Sequence, residues 1–382
     1  MANNLVSQLE GLRLADRATE WEINCKSFKH THPSQMSPQP RSFFTDVEEL
    51  CGLTQVLDQD KFTLNCRDGL ALLKDDVSCF VRDGSRSSVS NYIGHDMLEN
   101  YDTFTPVSVD QLEDMRGMQQ FIAQRNDKDK KSKLTVVCSR HNMIDLIMAP
   151  FSDQDIHLNA IHYDGYLYLF PDRQAGAGSM GINSEDPRTR KICYTGFELE
   201  HLVTKAKEPT ESSAFYSIVC GKIDSDLECL FKAEMDALEP VSNTYTEIKC
   251  STGLKTKSSH HRKKLLRMWI QTSLIPSTTL LIGLRDPYYN QLTTFERYTR
   301  AQLYRKFNNT NLKFLPQKYN YNANVSIEWF RHLFKAIQKL VEANLVPDTP
   351  EARSHTSFKL TVTKTLMLKL RKLDKMPPNT IF

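Results

Sequence analysis

The chain has 382 residues, 40% of them hydrophobic and 25% charged, and a formal net charge of only +3. Such a length can bury a sizeable core, and such a composition belongs to a soluble globular protein. So small a net charge gives no ground for a broadly basic nucleic-acid binder, so any basic surface must be local. The nine cysteines form no CxxC pair and fit no zinc spacing. They read as reduced thiols in a reducing compartment. No signal peptide and no membrane-length apolar run is visible.

In chain order, residues 1–42 read as an extended, proline-containing arm over a single domain spanning 1–382. Residues 43–101 give mixed signals, with a helix expected near 47–57. RNDKDKKSK (125–133) is a charged loop. LTVVCSR (134–140) and IHLNAIHYDGYLYLF (156–170) read as strands. Residues 171–191 read as a long loop containing GAGSMG (176–181), which matches GxGxxG. A dinucleotide site needs a helix opening at those glycines, and Pro187 argues against one, so a glycine loop is expected. YTGFELEHLVTKA (194–206) reads as a helix, and the segment 215–238 as a strand pair turning near Asp224–Ser225. NTYTEIKCS (243–251) is a strand, HHRKKLLRMWIQTSL (260–274) an amphipathic helix, and 278–299 a second strand pair. VSIEWFRHLFKAIQKLVEANL (325–345) is the longest helix, and FKLTVTKTLMLKL (358–370) supplies the last strands.

The acids carry the chemistry. In DLECLFKAEMDAL (226–238) the odd positions are apolar, while Glu228, Lys232, Glu234 and Asp236 share the other face. Adjacent carboxylates on one strand face repel, and a divalent cation would offset that. An exposed polar face is the blander reading. Tyr245, Glu247 and Lys249 likewise share a face of the next strand. Only EPVSN separates the two strands, so they are expected to pair as a hairpin that gathers Glu234, Asp236, Glu247 and Lys249. Three acids and one lysine suit an oxygen-liganded cation such as Mg²⁺ or Mn²⁺, with the lysine meeting a phosphate. Glu200 is expected to stand at the edge of its helix's apolar face as a fourth inward acid, and Glu198 to look outward. Lys264, Arg267 and Gln271 form a helical stripe that could line a phosphate-bearing channel, though basic helix faces are usually just solvated.

Acid, paired acids and Glu-x-Lys resemble the metal-dependent nucleases with a D…(D/E)xK core. More closely, SRHNMIDLIMAPF (139–151), GFELE (196–200), EMDAL (234–238), TEIKC (246–250) and MWIQT (268–272) resemble, in order, the motifs of the DXO-like decapping exoribonucleases, closest to the yeast-type cytoplasmic branch. That resemblance implies a mixed α/β (α+β) fold, with two twisted mixed sheets flanked by helices around a central pocket. It implies metal ligation, by two Mg²⁺ or Mn²⁺ ions, through Glu200, Glu234, Asp236, Glu247 and the main-chain carbonyl of Ile248. Lys249 and Gln271 would meet the scissile phosphate and its nucleophile, and Arg140 would bind RNA phosphate. Glu198 is an acid the family pattern does not require.

The implied activity is hydrolysis at RNA 5′ ends. It would release the cap dinucleotide from unmethylated caps, degrade 5′-monophosphate RNA 5′ to 3′, and extend to NAD caps. A cytoplasmic monomer is expected, with a nuclear location as the alternative and a protein partner as an added role. Two competing readings are a DNA endonuclease with the same Glu-x-Lys core and a non-catalytic partner of a 5′–3′ exoribonuclease.

Overall fold

The structure is a computed structural model that describes residues 20–25, 41–59, 61–125, 133–172, 181–205, 213–256, 258–308, 323–345 and 355–376. Most of the expected arm, the tip of the charged loop and residues 176–180 of the glycine motif lie outside the described residues.

The strands are β1 (Glu20–Asn24), β2 (Asp46–Val56), β3 (Lys61–Leu64), β4 (Leu134–Ser139), β5 (Ile156–Tyr163), β6 (Tyr166–Pro171), β7 (Ser213–Lys222), β8 (Leu227–Glu234), β9 (Ala237–Glu239), β10 (Thr244–Ser251), β11 (Thr278–Arg285), β12 (Leu292–Thr299), β13 (Thr356–Val362) and β14 (Met367–Leu373). The α-helices are α1 (Asp75–Asp83), α2 (Val109–Leu112), α3 (Arg116–Gln124), α4 (Arg140–Met148), α5 (Pro187–Val203), α6 (Ser259–Ser273), α7 (Arg300–Phe307) and α8 (Ala323–Glu342).

Ten strands form one mixed sheet in the order β1-β14-β13-β5-β6-β4-β8-β7-β2-β3, and four form a second in the order β12-β11-β10-β9. β4 runs parallel to both β6 and β8, and β10 runs parallel to β11. Burial explains the central position of β4. Its run LTVVCS is covered on both faces, as a strand between parallel neighbours must be. One face of the large sheet packs on α3 through Val137, Leu230, Ile218, Met118 and Ile122. The other shares a core with α4, α6 and α8 through Val136, Phe231, Ile144, Trp269 and Phe330, and this core also takes in Leu280 and Ile282 of the small sheet. The far face of the small sheet buries Ile248 and Leu281 against α1 and α5.

Four expectations are corrected. Residues 46–56 form β2, not a helix, and pair with β7 through a bulge near Glu49 and Cys51. The β-branched and aromatic partners on β7 outweigh the weak helical pattern of that segment. Within the expected arm, Glu20–Asn24 pairs antiparallel with β14. Pro187 does not spoil a helix. It occupies the first turn of α5, where its missing N–H costs nothing, behind Asp186, whose carboxylate accepts from Arg188 N and Thr189 N. That helix still opens six residues beyond Gly181, so the glycine motif lacks the helix a dinucleotide site needs.

Finally, β8 and β10 are not hairpin partners. The chain leaves the large sheet after Glu234, and β9 enters the small one at Ala237, where it pairs with β10. Gly283 makes room for α5 on β11, since a Cβ there would lie 2.8 Å from the Leu199 side chain. The neighbour of Leu199 is Glu200.

Candidate active site

Three strand ends converge. β4 passes directly into α4, with Ser139 capping the helix by accepting from Asn142 N, so Arg140 is the first helical residue. Ser139 pairs with Lys232 of parallel β8, which sets Arg140 beside the end of β8. Arg140 Nη2 donates to the Glu234 carbonyl at 2.5 Å. Its Nη1 donates to Glu247 Oε1, reaching across from one sheet to the other. The carboxyl ends of parallel strands are where α/β sheets commonly bind ligands.

Glu247 is fully buried. Besides Arg140, its carboxylate accepts from Gln271 Nε2 of α6 and from Lys249 Nζ at 3.3 Å. Lys249 Nζ also donates to Asp236 Oδ2 at 2.9 Å and to the Ile248 carbonyl at 2.8 Å. Asp236 Oδ2 accepts from Ile248 N at 2.7 Å, so Asp236 does the work of a sheet partner just before the start of β9. Burial acts to lower the Lys249 pKa, but Asp236, Glu247 and Glu200 override it and hold the ammonium charged.

Glu200 of α5 closes the cluster. Burial first, then Asp236, push its carboxyl well above the ordinary range. Glu234 is raised for the same two reasons. The Glu234 side chain reaches solvent and, with Glu198, Glu200 and Asp236, lines a recess of about 720 Å³. Phe104, Tyr194 and Phe197 also line that recess, with the Phe104 and Phe197 rings 5.1 Å apart. Neither the Glu200 nor the Glu234 carboxylate takes a hydrogen bond or salt bridge from a described residue.

Four carboxylates thus face two protein cations, Arg140 and Lys249. That excess of unpaired oxygen donors, together with the Ile248 carbonyl, fits hard divalent cations. The residues expected from the sequence therefore come together, through an arrangement the sequence did not indicate.

Glu198 is a correction. It does not look outward but is 4% exposed, accepting from Tyr194 OH at 2.9 Å and paired with His95 Nε2 at 2.8 Å. His95 Nδ1 also lies 3.5 Å from Glu99 Oε2. His95 stands 103 residues from Glu198, so no local pattern could have joined them. The basic stripe on α6 divides. Gln271 reaches the acids, but Arg267 pairs with Asp145 of α4 at 2.7 Å, and Lys264 donates to Ser251 Oγ at 2.9 Å at the end of β10. Arg267 and His141 offset the burial of Asp145 and hold its carboxyl at about 2.

A family model described as "RAI1 like PD-(D/E)XK nuclease" matches residues 62–381. The Decapping and exoribonuclease protein 1 of Saccharomyces cerevisiae is 33% identical over 372 residues, covering 92% of this chain and 83% of the relative. Its Kluyveromyces lactis namesake is 30% identical over 358 residues, covering 91% and 87%. The crystal structure of K. lactis Dxo1 in complex with manganese superposes with a TM-score of 0.77 at 28% identity, over 94% of this chain and all of that one.

Proposed function

The chain belongs to the family of RAI1-like PD-(D/E)XK nucleases, and from that premise we propose that it is a metal-dependent hydrolase of RNA 5′ ends. It removes incomplete, unmethylated caps as intact cap dinucleotides and degrades 5′-monophosphate RNA from the 5′ end, with NAD caps as a further substrate. The observation that carries this reading is the excess of carboxylates at the junction of the two sheets, beside a recess large enough for a nucleotide. The names of the two yeast relatives, decapping and exoribonuclease proteins, support the substrate class.

Glu200, Glu234, Asp236, Glu247 and the Ile248 carbonyl would hold the metal, Mg²⁺ or Mn²⁺. When bound, two such ions supply positive charge at the scissile phosphate and acidity to a coordinated water. The chain's own groups do the rest. Lys249, kept protonated by its acids, donates to a non-bridging phosphate oxygen as charge develops there. Gln271 and Arg140 fix the Glu247 carboxylate, and Arg140 adds positive charge beside the phosphate. Phe104 and Phe197 offer apolar faces to a nucleobase in the recess. Attack by water on the first phosphodiester would leave a 5′-monophosphate on the RNA body, which is itself the substrate of the exonuclease step.

We place the protein in the cytoplasm by its likeness to the yeast-type branch. No helix among the described residues is long and apolar enough to cross a membrane. A fluorescent fusion accumulating in the nucleus would overturn the cytoplasmic assignment.

The test of function uses end-labelled RNAs bearing an unmethylated cap, a methylated cap or a 5′-monophosphate, with Mg²⁺ or Mn²⁺ and an Asp236→Ala control. Release of intact cap dinucleotide, lost in the control, is expected. Internal cuts that ignore the 5′ end would favour an endonuclease. No cleavage by folded, metal-supplied protein would favour a stabilising partner of another nuclease.

A further inference from the structure

The loop between β11 and β12 holds two tyrosines out of the molecule. Tyr288 is 85% and Tyr289 77% exposed, the most exposed of the large aromatic side chains among the described residues. The loop is tightly built. Asp286 Oδ1 accepts from the backbone N–H groups of both tyrosines at 2.8 Å. Asp286 N donates to the Gln291 carbonyl at 2.8 Å and Asn290 N to the Asp286 carbonyl at 3.1 Å. Asn290 takes a positive φ of 57°, and its side-chain oxygen accepts from buried Arg285 at 2.6 Å. Five hydrogen bonds therefore fix the backbone that presents the two exposed rings. Two exposed rings on a hydrogen-bonded backbone cost less ordering on binding than rings on a loose loop.

Position identifies the occupant. Gln291 bridges to Asp96, Met97 N donates to the Asn290 carbonyl at 3.1 Å, and Leu292 N donates to the His95 carbonyl at 2.9 Å. The same segment runs on to Asn100, Thr103 and Phe104, which line the acid recess. On its other side the loop follows β11, whose register sets Leu284 opposite Ser251 and Ile282 opposite Lys249. It thus begins just past the end of β10, about 10 Å along the strand from Lys249. Lys264 adds a cation at that end through Ser251.

We propose that Tyr288 and Tyr289 are a stacking platform for the bases of single-stranded RNA downstream of the cleaved bond. The inference rests on the RNA 5′-end reading. The RNA body must leave the recess past its rim, and aromatic faces hold unpaired bases regardless of sequence. The platform gives grip on the RNA body without selecting its sequence.

The test places Tyr288→Ala/Tyr289→Ala in a Glu234→Gln background, so that bound RNA is not consumed. Fluorescence anisotropy then compares a 5′-monophosphate 15-mer with a 5′-monophosphate trinucleotide. The ratio of 15-mer to trinucleotide affinity should fall about tenfold or more. Tyr288→Trp/Tyr289→Trp should restore it. An unchanged ratio, with the enzyme carrying wild-type acids cleaving both RNAs, overturns the platform but leaves the 5′-end reading standing. So does an equal loss for both lengths, which would mark a structural loop, or a copurifying protein seated on the rings with RNA affinity unaffected. Failure of that enzyme to cleave either RNA defeats the 5′-end reading itself, and the platform with it.

Discussion

Glu234→Gln and Asp236→Ala are expected to move the metal-free protein in opposite directions, although the two acids stand two residues apart. Asp236 is tied in. Its Oδ2 accepts from the N–H of Ile248, a residue only 1% exposed, and from Lys249. Removing it strands a buried donor, at a cost of about 1–3 kcal/mol, and breaks a half-buried ion pair that contributes about 1 kcal/mol. The sum, about 2–4 kcal/mol, lowers the melting temperature by roughly 2–5 °C in a chain of 382 residues.

Glu234 takes no donor to its carboxylate from a described residue, and burial and Asp236 raise its pKa. The neutral amide relieves that repulsion, so Glu234→Gln should melt above wild type in EDTA. The sign also predicts the pH dependence. A carboxyl with a raised folded pKa is a penalty at neutral pH, and the penalty disappears as the pH falls through that pKa. The advantage of the variant should fade over the same range. Manganese at a hundred times its Kd should then stabilise wild type by about 2.7 kcal/mol and the variant by less. Calorimetry in EDTA, followed by Mn²⁺ addition, measures both effects. A Glu234→Gln protein that melts below wild type in EDTA, or that gains as much from Mn²⁺, would refute the picture of an unpaired acid kept for metal.

Lys249→Met should lower kcat by about 10²- to 10³-fold while leaving Mn²⁺ affinity nearly intact, read by single-turnover kinetics beside calorimetric titration; unchanged turnover would remove the lysine from the chemistry. Arg140→Met leaves fully buried Glu247 without its arginine partner and should cost about 3–5 kcal/mol, measured by denaturant unfolding. Glu239 is held at about 2, because hydrogen bonds from Ser242, Ser78 and Val241 outweigh its burial. Its folded pKa lies below the unfolded value, so its stabilisation of about 3 kcal/mol is present above pH 4.5 and is lost as the pH falls towards 2. Acid-unfolding curves of wild type and Glu239→Gln should therefore converge at the acid end, and curves that stay parallel would exclude the linkage.

The strands around the site were legible because their side chains alternate. The odd positions of 227–237 enter the core as expected, and Lys249 meets Glu247 from the same face of β10. The sheet assignment was not legible. A five-residue spacer suggests a hairpin, and nothing in EMDAL says that the chain changes sheets within it. Glu198 was misread because the helix that carries it is covered on two sides. One side is the small sheet, and the other is the segment around His95, which sequence separation hides. Pro187 misled for a local reason, since the same residue that breaks a helix interior also favours a first turn. For residues 46–56 the deciding fact was a distant partner, β7, not any local preference.

The passage of the chain from one sheet to the other between Glu234 and Asp236 has a consequence for the protein during its own synthesis. Arg140 and Glu234 belong to the first sheet and its helices, Glu247 and Lys249 to the second, and Gln271 to the helix between β10 and β11. The four acids lie within residues 200–247, but Arg140 and Gln271, which hold Glu247, widen the set to residues 140–271. A polypeptide still emerging from the ribosome, and short of residue 271, therefore lacks the amide that holds Glu247 from the α6 side. The cluster is assembled only once the sheets have packed on each other.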